Sequence, residues 1–541
     1  MKLPLINKKA LKKVLFGVYI SVIFVIGIYL FFGDQIAFVI NSTTGGEDRY
    51  NQLHATATPI SLGFAYKPES LDPVRFDPVT RNYLIDIYEG LVLTDRDLKI
   101  VPGLAISWGL INANKWEFIL RPDVKFHDGS LLTPRDVVNS ILRARDDQKS
   151  QLKDLLGTIK DLKIVDKNRI RITTRIPDPL LLNKLALTYI YPEKLSDFSK
   201  PVGTGPYSYV VSDDKKLILR RFEEYWDVGR GFHSQIILNY IKDREERLDA
   251  LEKNELQILT DLPPLAAVTS DSKYASSEGV VPIQNPDIEI KAIPSLEVSF
   301  IVFNVNNPIF SDKNAREAVY RALDPQFFVD LTYGFARPVN QFVSNGVFGY
   351  NPAIKRLDYD MEEAKELVKS SIDLTSFDVK TVVFDYPESM EAVGQYVQQQ
   401  LSELGINVEL NPLKNDKLQE KIQSGNSELY YLGWKSDLGD AGDFLDSIAH
   451  TRALSKGYGL FNGGNYSNVK VDKLIEKSRQ NFDVKSRQKD LQEAMRIIAE
   501  EDIMAVPLYE SDTIFAYRKS IKFEPRIDGY LHGDEIEGGN H

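Results

Sequence analysis

The stretch GWKSDLGDAGDFL, residues 433–445, sets Asp437, Asp440 and Asp443 among three glycines and Trp434, with Asp446 following. Carboxylates at this density serve calcium ligation, a catalytic carboxylate pair, or a seat for a positively charged group. An EF-hand loop needs ligands two residues apart and a glutamate at its twelfth position. Here the aspartates recur every third residue, and the twelfth position from Asp437 is Ile448. A hydrolytic pair needs a second carboxylate at a defined separation, and no partner for Asp437 can be assigned from spacing. Asp443 and Asp446 fall at the start of FLDSIAH, where acidic residues in a helix's first turn offset the macrodipole. Asp437 differs. It follows Trp434 in a glycine-punctuated loop directly after the apolar strand ELYYLGW, and an indole face beside a carboxylate suits a ligand with an apolar body and an ammonium group.

Other chemistries find no residues. There is no cysteine, and none of the six histidines forms an H-E-x-x-H or a close pair. GTGPYS (203–208) begins like a dinucleotide loop, but Ser208 stands where the third glycine belongs and Pro206 interrupts it, so it reads as a tight turn. His127 in KFHDGS precedes Asp128-Gly129, which is good turn chemistry after a strand. No metal, cofactor or catalytic residue is expected.

The elements that must position the loop are mixed. WEFILRPDVKF (116–126) alternates as a strand and turn, and KDLKIVDKNRIRITT offers two strands about a turn at Asp166-Lys167-Asn168. TPRDVVNSILRA (133–144) carries a capping box, Thr133 with Asp136, and a proline at the first helical position. MEAVGQYVQQQLSELG (390–405) is a helix ended by glycine before the strand INVELNPL, and VDKLIEKSRQNF and SRQKDLQEAMRIIAEED form two late amphipathic helices. The class is α/β with mixed sheets.

At 541 residues the chain is too long for one core, and 43% hydrophobic with 26% charged residues is the balance of an ordered protein. Residues 14–32 run nineteen positions without a charge, roughly the length needed to span a bilayer core as a helix. Five lysines precede this run and Asp34 follows, so residues 1–13 are expected in the cytoplasm, 14–32 as a single-pass uncleaved anchor, and 33–57 as a linker. Without those lysines the net charge falls from −11 to −16, which repels phosphate backbones and makes nucleic acid an unsuitable partner.

From about residue 58 to the C-terminus the chain resembles the extracytoplasmic solute-binding proteins of family 5, the dipeptide/oligopeptide-binding proteins of ABC importers. The resemblance rests on ESLDPVRFD and IYEGLVLTDRDLKIVPGLAISW (69–108), WEFILRPDVKFHDGSLLTPRDVVNSILRA, PVGTGPYSYV, RRFEEYWD, FIVFNVNNPIFSDKNAREAVYRALD, YDMEEAKELV, GWKSDLGDAGDFL and AVPLYESD, in the family's order. It implies a two-lobed periplasmic-binding-protein-like (class II) fold. Lobe I would take residues 58–290 with a subdomain at about 86–200, lobe II 291–509, and 510–541 would return to lobe I. It also implies a monomeric, extracytoplasmic, non-catalytic protein that closes on a peptide and hands it to permease subunits.

In the family, the aspartate three residues after the loop's tryptophan pairs with the peptide's α-ammonium; here that is Asp437, with Trp434, Gly433, Lys435 and Ser436 as further ligand-binding candidates. Two departures stand out. The usual lipobox cysteine is absent, and residues 386–401 hold no lysine or arginine to receive a dipeptide's carboxylate, which leans toward oligopeptides. The alternatives are an oligosaccharide or metal chelate bound by the same fold, or a tethered peptide sensor or chaperone without a transporter.

Overall fold

The computed structural model describes residues 58–371 and 381–538. The expected anchor and linker lie outside them, and among the described residues no helix is long and apolar enough to cross a membrane.

The fold is two-lobed, with mixed sheets. In chain order the strands that matter are β1 (Ile60–Phe64), β2 (Ala105–Asn112), β3 (Lys115–Leu120), β4 (Ile159–Asp166), β5 (Arg169–Thr174), β6 (Tyr207–Ser212), β7 (Lys216–Arg221) and β8 (Gln235–Tyr240). They continue with β9 (Ile258–Leu259), β10 (Ile288–Phe303), β11 (Thr381–Pro387), β12 (Asn407–Leu413), β13 (Leu429–Lys435) and β14 (Ala505–Arg518). One sheet runs β6-β7-β8-β1-β9-β14-β10-β13-β11-β12. Pairing is parallel between β1 and its neighbours and between β11 and its neighbours, and antiparallel elsewhere along the path. A separate antiparallel sheet, β2-β3-β5-β4, has its own core of Trp116, Phe118, Ile170 and Ile172 under helix α1 (Pro134–Asp146).

The local expectations for these elements are met where the signal is short-range. Thr133 and Asp136 close a reciprocal capping box with Pro134 inside it, fixing where α1 starts. The turn between β4 and β5 is held by Asp166 Oδ1, which accepts from Asn168 N at 3.0 Å. Helix α2 (Glu391–Glu403) stops before Gly405, whose φ of +77° only glycine adopts cheaply, and β12 follows.

The joint between the lobes is built into strands. Ile288, Ile290 and Ile293 of β10 pack into first-lobe cores, whereas Leu296, Val298 and Phe300 pack into a second-lobe core. β14 changes sides likewise, with Leu508 and Tyr509 on one side and Ile514 and Phe515 on the other. Where they cross, the pairing slips between Pro294 and Val298 and again between Ser299 and Phe300. Leu296 is held at φ +62°, a conformation costly for a leucine, and its carbonyl accepts from Ser436 N at 3.0 Å.

Candidate binding site

Strand β13 delivers the aspartate loop to this joint. It lies antiparallel to β10, with Trp434 opposite Val298 and Lys435 opposite Glu297. Because successive side chains face opposite ways along a strand, Trp434 and Lys435 diverge. Trp434 turns to the second-lobe core, edge-on to Phe461 at 5.8 Å and Phe444 at 6.3 Å. Lys435 turns toward the chain's C-terminal segment. Its Nζ donates to Asp528 O at 3.2 Å, sits 4.9 Å from the centre of the Tyr530 ring, and lies 3.7 Å from Asp437 Oδ1. Gly433 leaves room above β13, since a Cβ there would lie 2.4 Å from Glu297 Oε1. Ser436 is buried, its hydroxyl without a partner among the described residues.

Asp437 and Leu438 are the second lobe's contribution to a cavity of about 250 Å3 whose other walls belong to the first lobe and the C-terminal segment. Asn183 Nδ2, on the short helix Leu181–Ala186, donates to Leu438 O at 2.9 Å and so ties the two lobes at the rim. Rings of Tyr189, Trp226 and Tyr530 line the space with Arg81 and Glu89. About 30% of the Asp437 side chain remains accessible. Burial raises its pKa, and the nearby Lys435 and Arg81 pull it back down. Glu89 is pushed to about 7 by burial, against hydrogen bonds from Trp226 Nε1 at 2.9 Å and Tyr225 Oη at 2.9 Å.

Of the five candidates, then, Asp437 lines the cavity and Lys435 lies beside it, while Gly433, Trp434 and Ser436 build the strand end and turn that present them. A space walled by aromatic rings and entered by an accessible carboxylate can seat an ammonium group with a hydrophobic body. The aromatic faces come from Tyr189, Trp226 and Tyr530, not from the indole next to the carboxylate in sequence.

The remaining aspartates of the loop divide. Asp440 caps the short helix α3 (Ala441–Phe444), accepting from Gly442 N at 2.8 Å, and takes Arg487 Nη1 and Nη2 at 2.5 and 2.8 Å. Asp443 does occupy the first turn of α3. Asp446 lies beyond it, in the wider π-type turn Leu445–Ala449, 3.4 Å from Arg479. Asp443 and Asp446 both line a second interlobe cavity of about 480 Å3, which meets the first at Leu438.

His127 and GTGPYS are structural. His127 Nδ1 accepts from Gly203 N at 3.2 Å, its Nε2 lies 2.9 Å from Gly205 O, and burial lowers its pKa to about 4. Among the described residues no group of three or more acidic or histidine side chains is placed to hold a metal.

Known proteins share this fold. The family model for bacterial extracellular solute-binding proteins, family 5 (middle), matches residues 99–456. The glutathione-binding protein GsiB of Pectobacterium atrosepticum is 26% identical over 421 residues, covering 74% of this chain and 79% of that protein. HbpA2 of Haemophilus parasuis superposes with a TM-score of 0.77 at 20% identity, over 89% of this chain and all of that one. The oligopeptide-binding protein AppA of Bacillus subtilis, solved with a nonapeptide, superposes with a TM-score of 0.67 at 19% identity, over 90% of this chain and all of that one.

Proposed function

Because the chain belongs to the bacterial extracellular solute-binding proteins of family 5, substrate-binding components of ABC importers and not enzymes, we propose that its ligands are peptides held by their free amine on Asp437. The carrying observation is that Asp437 enters the interlobe cavity with one cation within ion-pair distance among the described residues, Lys435 at 3.7 Å, too long for a tight ion pair. A ligand ammonium would complete the carboxylate's coordination as the lobes close. Glutathione, the ligand named for the relatives, is itself a tripeptide with a free amine and is the first peptide to test.

The absence of a basic residue in 386–401 favours oligopeptides over dipeptides. The protein would act as a monomer outside the cytoplasm, tethered by residues 14–32, and pass its ligand to permease subunits.

Calorimetry on wild type and Asp437→Asn, with free and N-acetylated peptide, tests the reading. Removing one partner of a buried charge pair costs about 2–5 kcal/mol, so Asp437→Asn is expected to bind free peptide roughly 30- to 4,000-fold more weakly. Acetylation should weaken wild type by a similar factor and the variant hardly further, because both changes delete one interaction. Equal losses in both proteins would remove Asp437 as the amine's partner.

A further inference from the structure

Three arginines line the cavity that Asp437 enters, and two are already neutralised. Arg230 lies 2.6 Å from Asp534 and 3.3 Å from Glu535, and Arg526 lies 3.0 Å from Glu535 and 3.3 Å from Asp528. Arg81 has no carboxylate within ion-pair distance among the described residues. It is only 4% exposed, on the helix Pro78–Leu84, which Asp77 and Pro78 start. One bond anchors its guanidinium, Nη1 to Leu187 O at 3.1 Å, and its Nε is buried without a hydrogen-bond partner among the described residues. The rings of Tyr189, Phe76 and Tyr530 surround it at 4.9, 5.2 and 5.6 Å. Aromatic faces offset part of a cation's desolvation but offer its N–H groups no acceptor. A buried guanidinium left in that condition is costly unless something supplies an anion.

The cavity's other acids already have partners: Asp227 and Asp534 lie 3.7 and 2.6 Å from Arg230, and Asp528 lies 3.3 Å from Arg526. Glu89 is held by Tyr225 and Trp226, and Asp95 accepts from the backbone N–H groups of Asp97 and Lys99. Asp437 is close enough for each charge to influence the other, yet makes no ion pair with Arg81. The cavity thus presents one under-coordinated anion from the second lobe and one under-coordinated cation from the first, both lining the same space of about 250 Å3. We infer that the ligand carries a carboxylate beside its free amine, the amine on Asp437 and the carboxylate on Arg81. A guanidinium suits this because its planar fork takes both carboxylate oxygens. The inference rests on the peptide reading of Asp437 and deepens it to acidic head groups. The carboxylate has two sources: the side chain of an N-terminal Asp or Glu, or the α-carboxylate of a γ-linked glutamyl residue.

Three matched tripeptides with free amines separate these cases by calorimetry on the full-length chain: Gln-Ala-Ala, Glu-Ala-Ala and γ-Glu-Ala-Ala. One of the two acidic peptides is expected to bind about 10- to 100-fold more tightly than Gln-Ala-Ala, the gain of a charge-assisted hydrogen bond, and which one identifies the source. In Arg81→Gln that preference should shrink to about threefold or less. Binding of all three peptides alike by wild type would overturn the inference while leaving the peptide reading intact, and needs no variant to fold. A folded Arg81→Gln that keeps the acidic preference would overturn it too. Binding of none would overturn the peptide reading and the inference with it.

Discussion

Asp440 and Asp443 show how far apart two aspartates of one loop stand in energy. Asp440 and Arg487 are both buried and joined by two short bonds. Asp440→Ala strands a buried guanidinium and removes a helix cap, so unfolding in urea should show a loss of about 3–5 kcal/mol. Asp443 has no such partner. Burial first, then the charges of Asp446, Asp437 and Asp440, raise its carboxyl to about 7, and Lys184 opposes them. An unfolded aspartate titrates near 4, so between about pH 4 and 7 the folded protein holds a proton the unfolded chain has released. The contribution is therefore fully present below pH 4 and is lost as pH rises through about 7. Asp443→Asn, permanently neutral, should raise the melting temperature more at pH 8 than at pH 5; an equal shift at both would contradict this. A first-turn position alone would have made this substitution slightly destabilising.

At the scale of elements, the glycines of GTGPYS are explained by a close approach between backbones. A Cβ on Gly203 would fall 2.0 Å from the carbonyl oxygen of Ile87, which cannot rotate away. Gly203→Ala should lower stability by about 1–3 kcal/mol, read as a fall in the denaturation midpoint at unchanged slope. That loop, the capping box at Thr133, the β4–β5 turn and the glycine stop after α2 are legible in sequence because each signal is carried by residues a few positions apart. Fold class and the place of Asp437 were legible through the resemblance. What spacing could not deliver is the meeting of distant segments: Arg81 and Asp437 line one cavity only because helix Pro78–Leu84 and the end of β13 come together at the joint. Trp434 precedes Asp437 by only three residues yet packs into the second-lobe core, because strand alternation sends it away from the face that Lys435 takes. The registers of β10 and β14 were illegible for a related reason, since apolar runs that cross two cores look like runs within one.

For the whole molecule, the two strands that cross the joint are where a change of angle between the lobes has to be absorbed. A two-lobed binder whose ligand bridges the lobes shifts toward its closed form, so small-angle scattering should give a smaller radius of gyration with saturating peptide. An unchanged radius despite proven binding would mean a rigid site. Asn183 is the direct test of the rim. Asn183→Ala removes one interlobe hydrogen bond, worth about 0.5–1.5 kcal/mol, and should weaken peptide binding roughly 2- to 10-fold in calorimetry while leaving the melting temperature of the unliganded protein little changed.

The placement of β14 also sets a timetable for synthesis. The strand lies between β9 and β10, so the central sheet has a gap until residues 505–518 have been made. Phe515, Tyr517, Leu531 and Ile536 then complete a first-lobe core begun at Ile60. A growing chain therefore carries an unfinished first lobe while the entire second lobe is produced behind it, and such long-range closure is intrinsically slow. The nascent protein has the aspartate loop before it has Asp528 and Tyr530, so the cavity cannot exist until residues 526–534 have been made. Anything this cavity takes up therefore meets a chain in which both lobes have already been made.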